Sequence, residues 1–226
     1  MLVTKLEAAR RQLDAAILMY FREDDELAVH SVANAALGIM QELVKKRGRD
    51  VFTDQIKLGI FEMLKAYRKG TLDSRISDEP GFKEFVVQIP DTMWRFIEED
   101  NLEGARIRMA PIEAEKYWRE FKKSYNFLKH GDRDPAGTLA LEEVDNLQVL
   151  QYASSAYVQL GLAPTDEMLT FVAYCASLEP FDIPPAEPLK KMVEALRKYE
   201  GAKRKLRCRF MIGDRLRSVM DETEDE

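Results

Sequence analysis

Residues 5–46 read KLEAARRQLDAAILMYFREDDELAVHSVANAALGIMQELVKK. Leu6, Ala9, Leu13, Ala16 and Tyr20 recur at helical spacing with charged residues between them, so they share one face of a helix. The run Arg22-Glu23-Asp24-Asp25 interrupts that pattern. A second one follows at Val29, Val32, Ala33, Ala36, Met40 and Leu43. Two apolar stripes joined by a short polar turn predict an α-hairpin that closes at Gly48.

Working outward, Phe52, Ile56, Ile60, Met63, Leu64 and Tyr67 predict a third helix ended by Gly70, because glycine accepts the left-handed conformation that terminates helices. TLDSRISDEPG (71–81) is expected as a loop. Pro90 divides the next stretch into short helices at Phe82–Ile89 and Met93–Glu99, the second capped by Asp91. Pro111 suits a first turn, and Ala114, Tyr117, Trp118, Phe121, Tyr125 and Leu128 carry one apolar stripe to Gly131, predicting the strongest helix of the chain. Leu147, Leu150, Ala153, Tyr157 and Leu160 predict a helix closed by Gly161, and another runs from a Thr165 cap to Leu178. Thr138–Leu141 is expected to be briefly extended, but no alternating pattern of useful length predicts a sheet. The fold class expected is all-α, a helical bundle.

Pro180, Pro184, Pro185 and Pro188 crowd into nine residues and place a boundary near residue 182. This divides the chain into a bundle over 1–181 and, over 182–226, a proline-rich linker, a basic helical segment and an acidic tail. Leu189, Val193, Leu196, Leu206 and Phe210 give that segment the pattern of a helical hairpin or a bent helix. The C-terminal extension is locally basic: residues 190–226 hold 11 Lys/Arg against 8 Asp/Glu, whereas residues 1–189 carry a net charge of −9.

A chain of 226 residues should bury roughly 70% of its unfolded surface, and 46% hydrophobic beside 33% charged residues is globular rather than disordered composition. Cys175 and Cys208 show neither CxxC nor zinc-ligand spacing, which fits a reducing compartment and a cytoplasmic location. The N-terminus passes directly into an amphipathic pattern, and no run of about 18 apolar residues predicts a membrane span.

Histidine is the side chain whose ordinary pKa best suits proton transfer near neutrality, and the chain has only His30 and His130. Arg119, Lys123, Asn126 and His130 stand at i, i+4, i+7 and i+11, which stacks two cations, an amide and an imidazole along one polar stripe. Such a stripe can address a phosphate, with Asp132, Arg133 and Asp134 following as orienting or binding residues. The alternative is a solvated helix face with an imidazole favourably placed near the helix C-terminus. His30 borders its apolar stripe in line with Asn34 and Leu37, where it is either near His130 or a hydrogen-bonded boundary residue. Lys203, Arg204, Lys205 and Arg207 form the densest part of a basic arm that either binds nucleic-acid phosphates or pairs with the acidic body and the tail Asp221–Glu226. The residues three before the histidines are Leu27 and Phe127, not the glutamates of a di-iron helical site, and no GxxxxGK[ST], GxGxxG or GxSxG occurs. No metal and no cofactor is assigned.

Tyr125-Asn-Phe-Leu-Lys-His-Gly-Asp-Arg-Asp-Pro135, with Leu13-Asp-Ala-Ala-Ile17 and Ala28-Val-His-Ser-Val32, resembles a family of uncharacterised bacterial helical proteins over roughly residues 5–46 and 115–160. More distantly the arrangement resembles the HEPN superfamily of helical bundles, many of them RNases with an arginine four to six residues before a histidine. That resemblance implies His130 as the motif histidine and Lys123, seven positions earlier, in the arginine's place, without its bidentate fork. It implies metal-independent RNA cleavage, with His130 transferring a proton, Lys123 or Arg119 stabilising the phosphorane, Asn126 positioning the phosphate, and a homodimer building a composite cleft. The competing expectation is a non-catalytic helical module that binds a protein partner.

Overall fold

The computed structural model describes residues 2–105, 111–130, 135–178 and 187–224, leaving aside the side chains of 111–114, 187–188 and 214–224. Twelve α-helices and no strand occur among the described residues. The expected α-hairpin forms from α1 (Lys5–Arg22) and α2 (Glu26–Lys45). Thr4 Oγ accepts from the Glu7 N–H and Asp25 from the Ala28 N–H, so each helix starts on a side-chain cap. Between them Glu23 takes the left-handed conformation at φ 60°, and its N–H reaches Met19 and Tyr20 carbonyls.

α3 (Val51–Arg68) is capped by Asp50 and ends before Gly70 at φ 69°. The expected loop at 71–81 is instead partly helical: α4 (Ser74–Ser77) starts on an Asp73 cap, and Pro80 opens α5 (Pro80–Val87) with the φ a first turn needs. Asp91 does not cap α6 (Asp91–Glu98) by its side chain; it is the first helical residue, Pro90 being the N-cap. The single strong helix expected from Pro111 is divided at Lys122 into α7 (Pro111–Phe121) and α8 (Lys123–Lys129). In the segment Thr138–Leu141, expected to be briefly extended, Ala140 is extended at φ −75° and ψ 132°, and Leu141 opens a single 3₁₀ turn, Leu141–Glu143. α9 (Asn146–Gln159) ends at Gly161 with φ 72°, and α10 (Asp166–Leu178) follows Thr165, whose hydroxyl accepts from the Met168 N–H and donates to Asp14.

α11 (Glu187–Arg197) and α12 (Gly201–Glu224) complete the chain as the expected helical hairpin. The prolines at 180, 184 and 185 lie outside the described residues. Beyond them Met192, Val193, Leu196, Cys208 and Ile212 enter the same core cluster as Leu13, Ile17, Phe21, Met40, Leu150 and Phe171. A second, smaller cluster gathers Phe61, Leu64, Ile97 and Ala105, so α3 belongs to two cores: Val51 joins the main one and its C-terminal half meets α5 and α6. By length and composition α2 also suffices to cross a membrane. Here its face of Val29, Ala33, Ala36, Leu37, Met40 and Val44 is buried in the bundle.

Candidate functional site

The irregularity at Lys122 is a single residue, and helical bonds run through it from the Lys122 N–H to the Trp118 carbonyl and from the Asn126 N–H to the Lys122 carbonyl. Arg119, on α7, is exposed and donates to Glu115 at 3.1 Å. Lys123 opens α8 and pairs with Glu143 at 2.8 Å, an ion pair whose hydrogen bond raises the lysine pKa. Asn126 is exposed, and its backbone carbonyl accepts the N–H of His130 at 3.0 Å. His130 is half-buried just past α8, with φ −120° and ψ 59°. Asp132, Arg133 and Asp134 lie outside the described residues. None of Arg119, Lys123, Asn126 and His130 lines the half-open space that α8 does help to build.

That space is organised around the other histidine. His30, on the second turn of α2, is 2% exposed, and its Nδ1 lies 3.1 Å from Asn146 Oδ1. The Asn146 amide nitrogen donates to the Glu26 carbonyl at 3.0 Å, which turns its oxygen toward His30. Nδ1 therefore carries the proton and donates. Burial lowers the His30 pKa below 6.5, against the opposing effects of the Asn146 bond and the Asp145 charge, so the ring is neutral and Nε2 holds a lone pair. Nε2 is buried without a hydrogen-bond partner. A cavity of about 220 Å³ stands beside this ring, walled by Tyr117, Glu120 and Phe121 of α7, Ser124 of α8, and Glu143, Asp145 and Gln148 leading into α9.

The walls are built by ordinary helix chemistry. Asp145 is the N-cap of α9, its carboxylate accepting from the Gln148 N–H at 2.9 Å. Ser124, the one buried residue of α8, donates its hydroxyl to the Glu143 carbonyl at 2.9 Å and so ties the helix to the chain leading into α9. Tyr117 accepts from the Gln148 side chain at 2.8 Å and shares a hydrogen bond with Tyr152 at 3.0 Å, while Phe52 packs against Tyr117 and Trp118 at centroid distances of 4.4 and 4.7 Å. Among the described residues no three His, Cys, Asp or Glu side chains stand close enough to hold a metal ion together. The sequence pointed to His30 as a boundary residue, but Asn146, Ser124 and Glu143 were missed. The Asp145-x-x-Gln148 spacing announces a helix start, yet nothing in it announces a cavity.

Gln148 also borders a larger groove of about 670 Å³ between α3, α9, α10 and α11, floored by Met168, Phe171 and Tyr152 and flanked by the exposed Val158 and Val172. Among the described residues, sixteen line it and none of these is Asp, Glu, Lys or Arg. Ser154 lines it as well, 4% exposed and with its Oγ lacking a hydrogen-bond partner.

In the basic arm, two cations attach α12 to the bundle. Arg204 donates to the carbonyls of Tyr199 at 2.7 Å and Ser177 at 3.2 Å. Lys205 lies 4.4 Å from the Tyr20 ring centroid and 3.6 Å from Glu23. Lys203 is exposed and Arg207 half-buried. No family model, no curated protein and no solved structure matches the chain.

Proposed function

We propose that the bundle is a protein-interaction module whose groove between α3, α9 and α10 receives an amphipathic helix of a partner protein. The observation that carries this reading is the absence of charge, among the described residues, from the groove lining in a chain that is 33% charged. A helix laid there must present aliphatic side chains at i, i+3 or i+4, and i+7, and keep its own charges outside. The groove volume falls within the roughly 300–1,000 Å³ range of ligand-receiving pockets.

RNA cleavage around His130 is the competing reading. It would use Arg119 and Lys123 as phosphate clamps; Glu115 and Glu143 pair with these cations at the surface and offset their charge toward an incoming phosphate. The electrostatics therefore favour the interaction module.

Selection of helical peptides from a display library on the full chain tests the proposal, with Val172→Glu as the counter-target. Val172 is 40% exposed, so its replacement leaves the core intact. Enriched peptides should share the aliphatic spacing and lose binding to Val172→Glu at unchanged thermal stability. Peptides that bind both proteins equally, or a concentration-dependent dimer that occupies the groove, would overturn it. Labelled RNA incubated in excess EDTA should survive equally with wild type and His130→Ala; cleavage lost only in the variant would move the assignment to the RNase reading.

A further inference from the structure

We propose that the outer face of α12 docks on an anionic lipid bilayer, as a contact with the membrane surface and not a span. The proposal is independent of the groove and starts from an apolar pair left in water. Leu206 and Phe210 stand one turn apart and are 45% and 54% exposed, while Cys208, on the opposite side of the helix, is completely buried. Cys208 and Ile212 enter the main core, and Arg204 and Lys205 bind the bundle beside them. The helix is thus held by its inner face and presents the outer one.

Charge selects what covers this pair. Residues 198–213 hold six Lys/Arg against one acidic residue, Glu200. Arg204 and Lys205 are committed to the bundle, whereas no carboxylate among the described residues pairs with Lys203, Arg207 or Arg209. At about 100° per residue, Arg207 and Arg209 leave the helix about 80° to either side of the apolar pair, and Lys203 about 40° to one side. An interfacial helix has this pattern: apolar side chains pass between the headgroups, and cations on both flanks meet the anions of the headgroup plane. A second copy of the chain on the same face would set like charges against each other. A nucleic-acid strand draws its affinity from cations against its phosphates, and here Leu206 and Phe210 hold the centre of the face. The net charge of −6 does not oppose the contact. A helix with its side chains is about 10 Å thick, more than the roughly 8 Å Debye length at physiological salt, so the acidic bundle behind α12 is screened from a surface that its outer face touches.

The test is co-sedimentation of the full-length protein with two kinds of vesicle, phosphatidylcholine alone and phosphatidylcholine in which phosphatidylserine replaces about a third of the lipid. The protein should pellet with the second and not with the first. Raising the salt to about 1 M, where the screening length falls to about 3 Å, should release it. Lys203, Arg209 and Phe210 are exposed, so their replacement leaves the core intact, which equal thermal midpoints verify. Lys203→Gln together with Arg209→Gln should lower the partition coefficient roughly 25-fold, about fivefold for each cation removed. Phe210→Ser should lower it roughly tenfold, by losing the apolar area that enters the bilayer. The proposal is overturned if neither vesicle carries the protein down, if phosphatidylcholine alone does so equally, or if Phe210→Ser binds as tightly as wild type. Binding of labelled RNA or of an acidic peptide through Lys203 and Arg209, with no pelleting by either vesicle, would overturn it in favour of that partner. Failure here leaves the peptide selection on Val172 unaffected, so the two readings stand or fall separately.

Discussion

His30 and Asn146 come from positions 116 residues apart; their contact sets the tautomer, while burial sets the charge state and its acidity dependence. The folded pKa lies below the ordinary 6.5 because burial disfavours the imidazolium, while the unfolded ring keeps its ordinary value. Between the two values the unfolded chain binds more protons than the folded one. The stability contributed by the neutral ring is therefore complete above about pH 6.5 and falls as the solution is acidified below it. The Asn146 hydrogen bond and the Asp145 charge limit the shift without reversing its sign. Asp14 titrates the other way, since burial raises its pKa despite the Thr165 bond, but it does so at carboxylate pH. Urea midpoints at pH 7.5 and pH 5.5 should differ for wild type and draw together in His30→Gln; an equal drop in both proteins would assign the acid sensitivity elsewhere.

At the scale of elements, α12 shows how a basic face is divided between display and attachment. The Arg204 guanidinium bonds two backbone carbonyls, one of them the Ser177 carbonyl at the end of α10, where a cation also meets the negative end of the helix dipole. Lys205 holds α1 through a ring face and a partly exposed carboxylate. Charged hydrogen bonds to carbonyls outweigh an exposed ion pair, so Arg204→Ala should cost about 1 kcal/mol or more and Lys205→Ala a few tenths to about 1 kcal/mol. Hydrogen exchange should quicken along α12 in the first variant well beyond the second. The reverse order would mean that the Tyr20 cation–π contact, not the carbonyl bonds, anchors the helix. The division of α7 from α8 belongs to this scale too. An apolar stripe runs unbroken through Tyr117, Phe121, Tyr125 and Leu128, and periodicity has no term for the Ser124 hydroxyl bond that ties α8 to Glu143.

For the whole molecule, the two clusters predict two tiers of stability. Leu64 is completely buried in the smaller cluster and Leu13 in the main one. Truncating either to alanine should cost roughly 2–5 kcal/mol, with different reach. Leu64→Ala should accelerate hydrogen exchange in the second half of α3, in α5 and in α6 while α1, α2 and α9 stay protected; Leu13→Ala should open the bundle. Uniform acceleration in Leu64→Ala would make the chain a single cooperative unit. Cys208, fully buried with its thiol pushed up to about 12, reports independently on the main core because disulfide reagents reach it only when that core opens.

The sequence by itself determined most of the helices, because a helix is written locally. Leu6 to Tyr20 and Val29 to Leu43 mark buried faces by their spacing, and Gly70 and Gly161 mark ends by the backbone conformation they accept. It also singled out His30 as a residue on the border of a core. Only the tertiary structure decided that the border is an interior one, that Asn146 sets which nitrogen carries the proton, and that Glu120, Ser124 and Asp145 line one space with the His30 ring. Such a convergence depends on how α2, α7, α8 and α9 pack, and packing is a relation among distant side chains for which no local spacing is a record.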